Sequence, residues 1–281
     1  MENEILFNDE FLIHGITVGI PFYKNSKKNE LKLAIDSILN QTLLPYEIHL
    51  IQDGPVTKEI EEVVRYYVNT LKEVKIKHIL IPQNVGLAQA LNISILATNT
   101  CYYARMDADD ISHPERFKKQ YDFLEVNRNV HILGTWEVLF QDELNYTKGF
   151  LKKVPTTEKE IHNFFHYRSP FVHASVMFRT IIFSKIGLYN ISTKKIEDYE
   201  LWARVLKNKV GVANIPETLY FMRYTEAMER RFGFDAFLKR LKIQYSYNTP
   251  SPKLNLLKIA SLVFFLLPNS IKRWGYNNLR G

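Results

Sequence analysis

Apolar and polar positions follow two different periods through the first 110 residues. Ile16-Thr17-Val18-Gly19-Ile20 is a short apolar run that predicts a buried strand stopped by Pro21. Over residues 29–41 the apolar side chains Leu31, Ala34, Ile35, Ile38 and Leu39 share one helical face. Residues 47–51 predict a second strand, closed by Asp53-Gly54-Pro55, and residues 59–71 a second helix. Residues 75–81 predict a third strand before Pro82, residues 86–97 a third helix, and residues 101–106 a fourth strand that runs into Asp107, Asp109 and Asp110. Strands that alternate with helices pair in parallel through right-handed crossovers, so the pattern predicts an α/β protein. Ligands of such sheets lie beyond the carboxyl ends of the strands. Pro21-Phe22-Tyr23, Asp53-Gly54 and the acids at 107–110 therefore face one crevice.

The second half is less regular. Residues 114–126 predict a helix with proline in its first turn. Residues 130–140 and 175–179 predict strands, and residues 198–208 a helix whose apolar face is Leu201, Trp202, Val205 and Leu206. No internal repeat is present. Asn248-Thr249-Pro250-Ser251-Pro252 reads as a linker. Residues 254–267 are mostly apolar but include Asn255, Lys258 and Ser261, and at about 1.5 Å per residue they are too short for a bilayer core of about 30 Å.

Charge changes the picture of that last segment. The chain has 281 residues and a formal net charge of +7. Residues 236–281 hold eight of the 37 basic residues and none of the 30 acidic ones, so the remainder is nearly neutral. The eight are Lys239, Arg240, Lys242, Lys253, Lys258, Lys272, Arg273 and Arg280. Together with the apolar run and Trp274, they suit a helix lying on an anionic membrane surface. The plainer alternative is a helix packed on the main domain. No RNA-binding motif accompanies these residues, so no nucleic-acid partner is expected. Cys101 is the single cysteine, which rules out an internal disulfide and fits a reducing compartment. The start, Met1-Glu2-Asn3-Glu4, lacks the basic and apolar regions of an export signal.

Three carboxylates within four residues repel one another unless something neutralises them. The spacing Asp107-x-Asp109 resembles a clamp for a hard divalent cation, and such cations share coordination with phosphates. Neither of the glycine-rich phosphate loops, G-x-G-x-x-G or G-x-x-x-x-G-K-[ST], occurs. That argues against a dinucleotide-dependent dehydrogenase and a P-loop NTPase, and leaves a diphosphate bridged by Mn2+ or Mg2+.

The ordered set "ITVGIPFYKN", "DSILNQT", "IQDGP", "NVGLAQALN", "YYARMDADDISHPERFKKQ", "HASVMFR" and "EDYELWARVL" resembles the family 2 glycosyltransferases. Its nearest kin in pattern are bacterial enzymes of capsule, exopolysaccharide and lipopolysaccharide assembly. The resemblance spans roughly residues 15–224. It implies a GT-A fold, a Rossmann-like αβα sandwich with a mostly parallel central sheet, here followed by a basic helical tail. Residues 1–110 would form the nucleotide-sugar half, 111–235 the acceptor and catalytic half, and 236–281 the extension. The implied enzyme is a metal-dependent, inverting hexosyltransferase at the cytoplasmic face of the cell membrane. Its donor would be a nucleotide-sugar, most naturally UDP-linked, and its acceptor a lipid-linked saccharide.

Carried over position by position, the resemblance puts Pro21 and Tyr23 in the nucleotide pocket and Asp53 on the base. Asp107 and Asp109 become the D-x-D pair, with Asp109 the direct metal ligand, and Asp198 in Glu197-Asp198 becomes the general base. Each position has a plainer reading: Tyr23 could be packing, Asp53 a turn residue, Asp198 a first-turn acid and Asn84, Gly86 and Gln89 a helix start. Gln89 stands where the family often has a basic residue. Arg105 could neutralise the acids or touch the donor, and His173 could be structural or meet metal or acceptor. Arg223-Tyr224 inverts the family's usual Tyr-Arg order, so no role is transferred to it. Two other classes remain open at this point, a nucleotidyltransferase that makes a nucleotide-sugar and a non-catalytic sugar-nucleotide or polysaccharide-binding protein.

Overall fold

The computed structural model describes residues 7–225 and 234–267. Four strands, β1 (Ile13–Phe22), β2 (Glu47–Asp53), β3 (Lys75–Ile81) and β4 (Thr100–Arg105), pair wholly in parallel in the order β3-β2-β1-β4. The crossovers are α1 (Lys28–Leu39), α2 (Lys58–Thr70) and α3 (Leu87–Leu96). Every element expected in this half is present. The first strand does not stop at Pro21, however, which pairs opposite Ile51. The partnership of β1 with β4 ends at Gly19, so on that side the missing N–H of Pro21 faces no ladder.

The second half extends the same sheet with mixed pairing. Its elements are β5 (Ile111–Ser112), α4 (Arg116–Val126), β6 (Val130–Phe140), β7 (Phe150–Lys152), α5 (Glu158–Phe165), β8 (Met177–Arg179), α6 (Ile182–Ile186), α7 (Glu197–Lys207) and β9 (Gly211–Arg223). β8 is antiparallel to both β4 and β6 and so joins the two halves, while β9 runs parallel to β6. The pattern of residues did not single out β9, because Pro216 and Glu217 interrupt its apolar run. The register shift between Thr135 and Trp136 absorbs that interruption. The strand expected over 175–179 starts only at Met177, since Ser175 lies in a 3-10 turn and bonds back to the Val172 carbonyl at 3.0 Å. Pro114 precedes its helix, whose N-cap is Glu115.

Side-chain alternation divides the core between the two sheet faces. Ile16, Val18, Ile20, Tyr102 and Met177 pack with α1, α2 and α4, whereas Tyr103 and Phe178 pack with α3, α6 and α7. Gly19 is required by this second face. A Cβ there would lie 1.9 Å from Tyr103 Oη, which donates to Ser94 Oγ at 2.9 Å.

The chain closes with α8 (Phe234–Tyr245) and α9 (Pro252–Leu266). The boundary expected at residue 236 falls within the first turn of α8. Ile243 joins the α7 side of the core, Gln244 Nε2 donates to the His166 carbonyl at 3.2 Å, and Arg240 donates to the Tyr167 carbonyl at 3.1 Å. Lys258 on α9 is 1% exposed and donates to the carbonyls of Gln244 and Tyr247 at 2.9 and 2.8 Å. Helix C-termini leave such carbonyls without intrahelical partners, and the ammonium supplies one. Two of the eight tail cations, Arg240 and Lys258, thus point inward rather than to a surface. Lys272, Arg273, Trp274 and Arg280 lie outside the described residues. Among those described, no helix is long and apolar enough to cross a membrane.

Candidate active site

The acids that follow β4 have three different surroundings. Asp110 is 2% exposed and fully engaged: Tyr220 donates its hydroxyl to one carboxylate oxygen and Arg223 its N–H to the other, both at 2.8 Å. Burial pushes its carboxyl well above the usual range, and Asp109 and Asp107 add to this. Asp107 is one-third exposed and accepts from Arg105 Nη2 at 2.5 Å. Asp109 gains no side-chain donor among the described hydrogen bonds. Burial, then the Asp107 charge, then Glu30 push it up to about 6. Its carbonyl accepts from Arg223 Nε at 3.0 Å, and the same guanidinium pairs with Glu30 at 3.4 Å and Glu143 at 2.8 Å. Arg223 therefore belongs to this site, although its place in the sequence gave no reason to assign it there.

Glu197 and Asp198 open α7, reached through Lys195 with φ at +74°, in the left-handed region. Burial raises both carboxyls above their ordinary range. For Asp198 the Tyr199 N–H and the charges of Arg105 and Arg240 oppose that rise. Arg105 is 1% exposed. It pairs directly with Asp107, and its charge is felt by Glu197, Asp198, His173 and Tyr189. The fold therefore sets Arg105 against Asp107 and within electrostatic reach of Glu197 and Asp198, while Asp109 feels the Asp107 charge.

His173 sits in the same neighbourhood. Its Nε2 meets the Tyr189 hydroxyl at 2.8 Å, and burial and Arg105 hold it well below its ordinary pKa. The Tyr189 segment is fixed by Asn92 of α3, whose side-chain amide bonds to both the Tyr189 N–H, at 2.9 Å, and its carbonyl, at 2.8 Å. Asn92 closes the stretch NVGLAQALN, but the sequence assigned no role to it or to Tyr189.

Asp53 and Asn84 form a separate group at the end of β2. Asp53 accepts from the Val85 N–H at 2.7 Å, the Gly86 N–H at 3.0 Å and the Asn84 amide at 2.9 Å. Gly54 and Gly86 both hold φ at +87°, and a Cβ on Gly54 would lie 2.8 Å from the Asn84 nitrogen. β1 separates β2 from β4, which places this group two strand spacings, about 10 Å, from the acids of β4. β1 ends with Pro21 and Phe22 between the two groups. Tyr23 stands just past it, 44% exposed, with its N–H on Ser26 Oγ at 3.0 Å.

The donor set suits a hard cation. Asp107 keeps one carboxylate oxygen free of Arg105, and Asp109 offers a carboxylate whose charge burial and the neighbouring acids disfavour. Among the described residues no cluster of three or more metal-ligating side chains exists. A cation held here would take its remaining oxygens from phosphate and water, as Mg2+ commonly does.

Comparison with known proteins gives consistent results. The family model for glycosyl transferase family 2 matches residues 17–187. A UDP-Gal:alpha-D-GlcNAc-diphosphoundecaprenol beta-1,3-galactosyltransferase of Escherichia coli is 34% identical over 260 residues, covering 89% of this chain and 90% of that protein. The amylovoran biosynthesis glycosyltransferase AmsE of Erwinia amylovora is 33% identical, covering 87% of this chain and 85% of its own. Among solved structures, the mannosyltransferase PcManGT of Pyrobaculum calidifontis, in complex with GDP-Man and Mn2+, superposes with a TM-score of 0.63 at 13% identity. It covers 92% of this chain and 71% of its own, a likeness of fold that matches the expected GT-A architecture.

Proposed function

The chain belongs to glycosyl transferase family 2, and on that premise we propose an inverting transfer of a sugar from a UDP-linked donor to a lipid-linked saccharide in bacterial surface polysaccharide synthesis. The UDP-linked donor and lipid-linked acceptor are suggested by the galactosyltransferase relative, and the polysaccharide setting by the amylovoran enzyme. Arg105 carries the reading, because one buried guanidinium serves both Asp107 and the acid pair of α7. Donor phosphates and acceptor hydroxyl would then meet within reach of a single fixed charge.

In this reading Asp107 and Asp109 hold Mn2+ or Mg2+ against the donor diphosphate. The cation would supply positive charge where the leaving diphosphate gains negative charge. Pro21 and Tyr23 line the nucleotide pocket, while Asp53 and Asn84 fix the turn that walls it. Asp198 accepts the proton of the acceptor hydroxyl, whose oxygen displaces the nucleoside diphosphate from the opposite face of the sugar. Arg105 and Arg240 favour the ionised, basic form of Asp198 against its burial. Glu197, deeper in the same turn, supports that geometry. The enzyme would work at the cytoplasmic face of the cell membrane, where a lipid-linked acceptor is exposed.

The test is a panel of nucleotide-sugars with a lipid-linked acceptor, in Mn2+, in Mg2+ and in chelator, scored by the nucleotide released. UDP release that requires acceptor and metal supports the reading. Pyrophosphate release would indicate a nucleotidyltransferase, and donor binding without turnover a binding protein.

A further inference from the structure

Helix α9 presents an apolar stripe to solvent. Leu256, Ile259, Val263 and Leu266 are 69%, 49%, 52% and 55% exposed, and their spacing of three, four and three residues sets them along one helical face. The opposite face is committed to the body: Lys258 caps α8, Ser261 accepts from Gln244 at 3.2 Å, and Leu262 is buried. The helix carries only two charged residues, and since Lys258 is buried, Lys253 is the single charge exposed on it. A solvent-facing helix without a polar outer face needs an occupant.

We propose that this stripe is the docking face for an anionic lipid bilayer, entered at the level of the headgroups. The proposal rests on the reading above only in that a lipid-linked acceptor places the enzyme at a membrane. Charge complementarity supports it. The 14 residues that continue past the described chain include Lys272, Arg273 and Arg280, with Trp274 and Tyr276, and no acid. In sequence, the apolar stripe is thus followed by basic and aromatic residues, a composition that suits an anionic interface. A second copy of the chain fits less well. A stable protein interface buries about 800 Å² per partner, and four side chains on one short helix are too few to supply it. At 15 residues, α9 cannot span the bilayer, and its Lys258 staple keeps it lying along α8. Arg240 and Lys258 are turned inward, and the exposed cations of the two helices are Lys242 and Lys253.

Full-length protein is to be sedimented with vesicles of phosphatidylglycerol and phosphatidylcholine, and with phosphatidylcholine alone, at low and at 0.5 M salt. Leu256→Glu with Val263→Glu serves as the test variant, since both side chains are exposed and the body does not depend on them. Wild type should bind the anionic vesicles, lose part of that binding in high salt, and lose tenfold or more of its partition coefficient in the variant. Lys253→Gln should lower binding a few-fold at low salt only. Thermal melting and UDP affinity, measured without vesicles, should be the same in wild type and variant. Wild type that ignores anionic vesicles at low salt overturns the proposal. So does a variant that binds as wild type does, or a wild-type dimer in solution that the variant splits. Absent UDP binding in both proteins, with vesicle docking intact, would instead remove the donor reading and leave the docking face standing.

Discussion

The carboxylates gathered near the ends of β2, β4 and the start of α7 fall into two groups that live under opposite conditions. Asp53 accepts three hydrogen bonds from one short loop. Asp110 accepts two from Tyr220 and Arg223. Both are complete without a ligand. Asp109 and Asp198 are half-buried acids of the other kind, each held above its ordinary pKa by desolvation. An acid that is satisfied shapes the backbone around it. An acid kept partly buried without enough donors costs stability, and such a cost is expected where charge must be delivered to a substrate. The contrast predicts that removing an acid of the first kind harms the fold, whereas removing one of the second harms the chemistry.

The largest effect belongs to Asp198. Asp198→Asn should lower transfer by about 10²–10⁴-fold, the range for loss of a general base, while UDP affinity and thermal midpoint stay near wild type. Near-normal turnover in the folded variant would shift the role to Glu197. Next comes Asp109→Asn, which should remove most of the difference between UDP affinity in Mn2+ and in chelator, about 10–100-fold, as read by calorimetry. Its melting temperature should hold or rise, because the carboxyl it replaces is pushed up to about 6 and is ionised at neutral pH against its surroundings. A variant that unfolds instead would place Asp109 with the satisfied acids. Asp110→Ala should behave in the opposite way. Each buried donor left without a partner costs about 1–3 kcal/mol, so urea midpoints should fall clearly. Asp53→Ala should lose somewhat less, because its donors are only part-buried, and proteolysis should then cut near residues 84–86.

Much of this contrast is foreshadowed in the sequence. The alternation of apolar runs with amphipathic stretches yields the parallel half, because β2, β4 and the centre of β1 are buried on both faces, while the edge strand β3 and the helices α1 and α2 keep an exposed side. The convergence of Asp107 with Asp198 is not visible in that pattern. It depends on β8, a three-residue strand that ties β4 to β6 and carries no period of its own. β9 was hidden by Pro216 for a similar reason: a bulge can absorb a residue that local rules forbid. The three clustered aspartates look alike in sequence and differ in what reaches their side chains: the nearby Arg105 for Asp107, Tyr220 and the Arg223 N–H for Asp110, and no side-chain donor among the described hydrogen bonds for Asp109, whose carbonyl takes the Arg223 guanidinium. Tyr220 and Arg223 lie more than 100 residues away. The tail misled in one respect. Its net charge suggested eight surface cations, but Arg240 lies 4.4 Å over the Tyr199 ring and Lys258 closes α8. Composition counts charges without saying which of them a helix end will claim.

The comparison extends to a base, and there the expected effect is smallest. His166 is 4% exposed where α5 meets α8, with its ring stacked on Tyr247 at 5.1 Å and its Nδ1 without a hydrogen-bond partner. Burial first, then Lys258 and His162, push its pKa down to about 4, so it stays neutral in the folded protein. An unfolded histidine takes up its proton near pH 6.5. The unfolded state therefore binds more protons between those values, and stability is complete above about 6.5 and falls as the pH drops toward 4. His166→Phe keeps the stack and removes the titration. Between pH 7 and 5 its thermal midpoint should fall roughly 2–4 °C less than that of wild type. Some slope should remain in the variant, since His49 and His173 are also held below their ordinary range by burial. Parallel curves for the two proteins would show that His166 finds a partner when protonated and belongs with Asp53 rather than with Asp109.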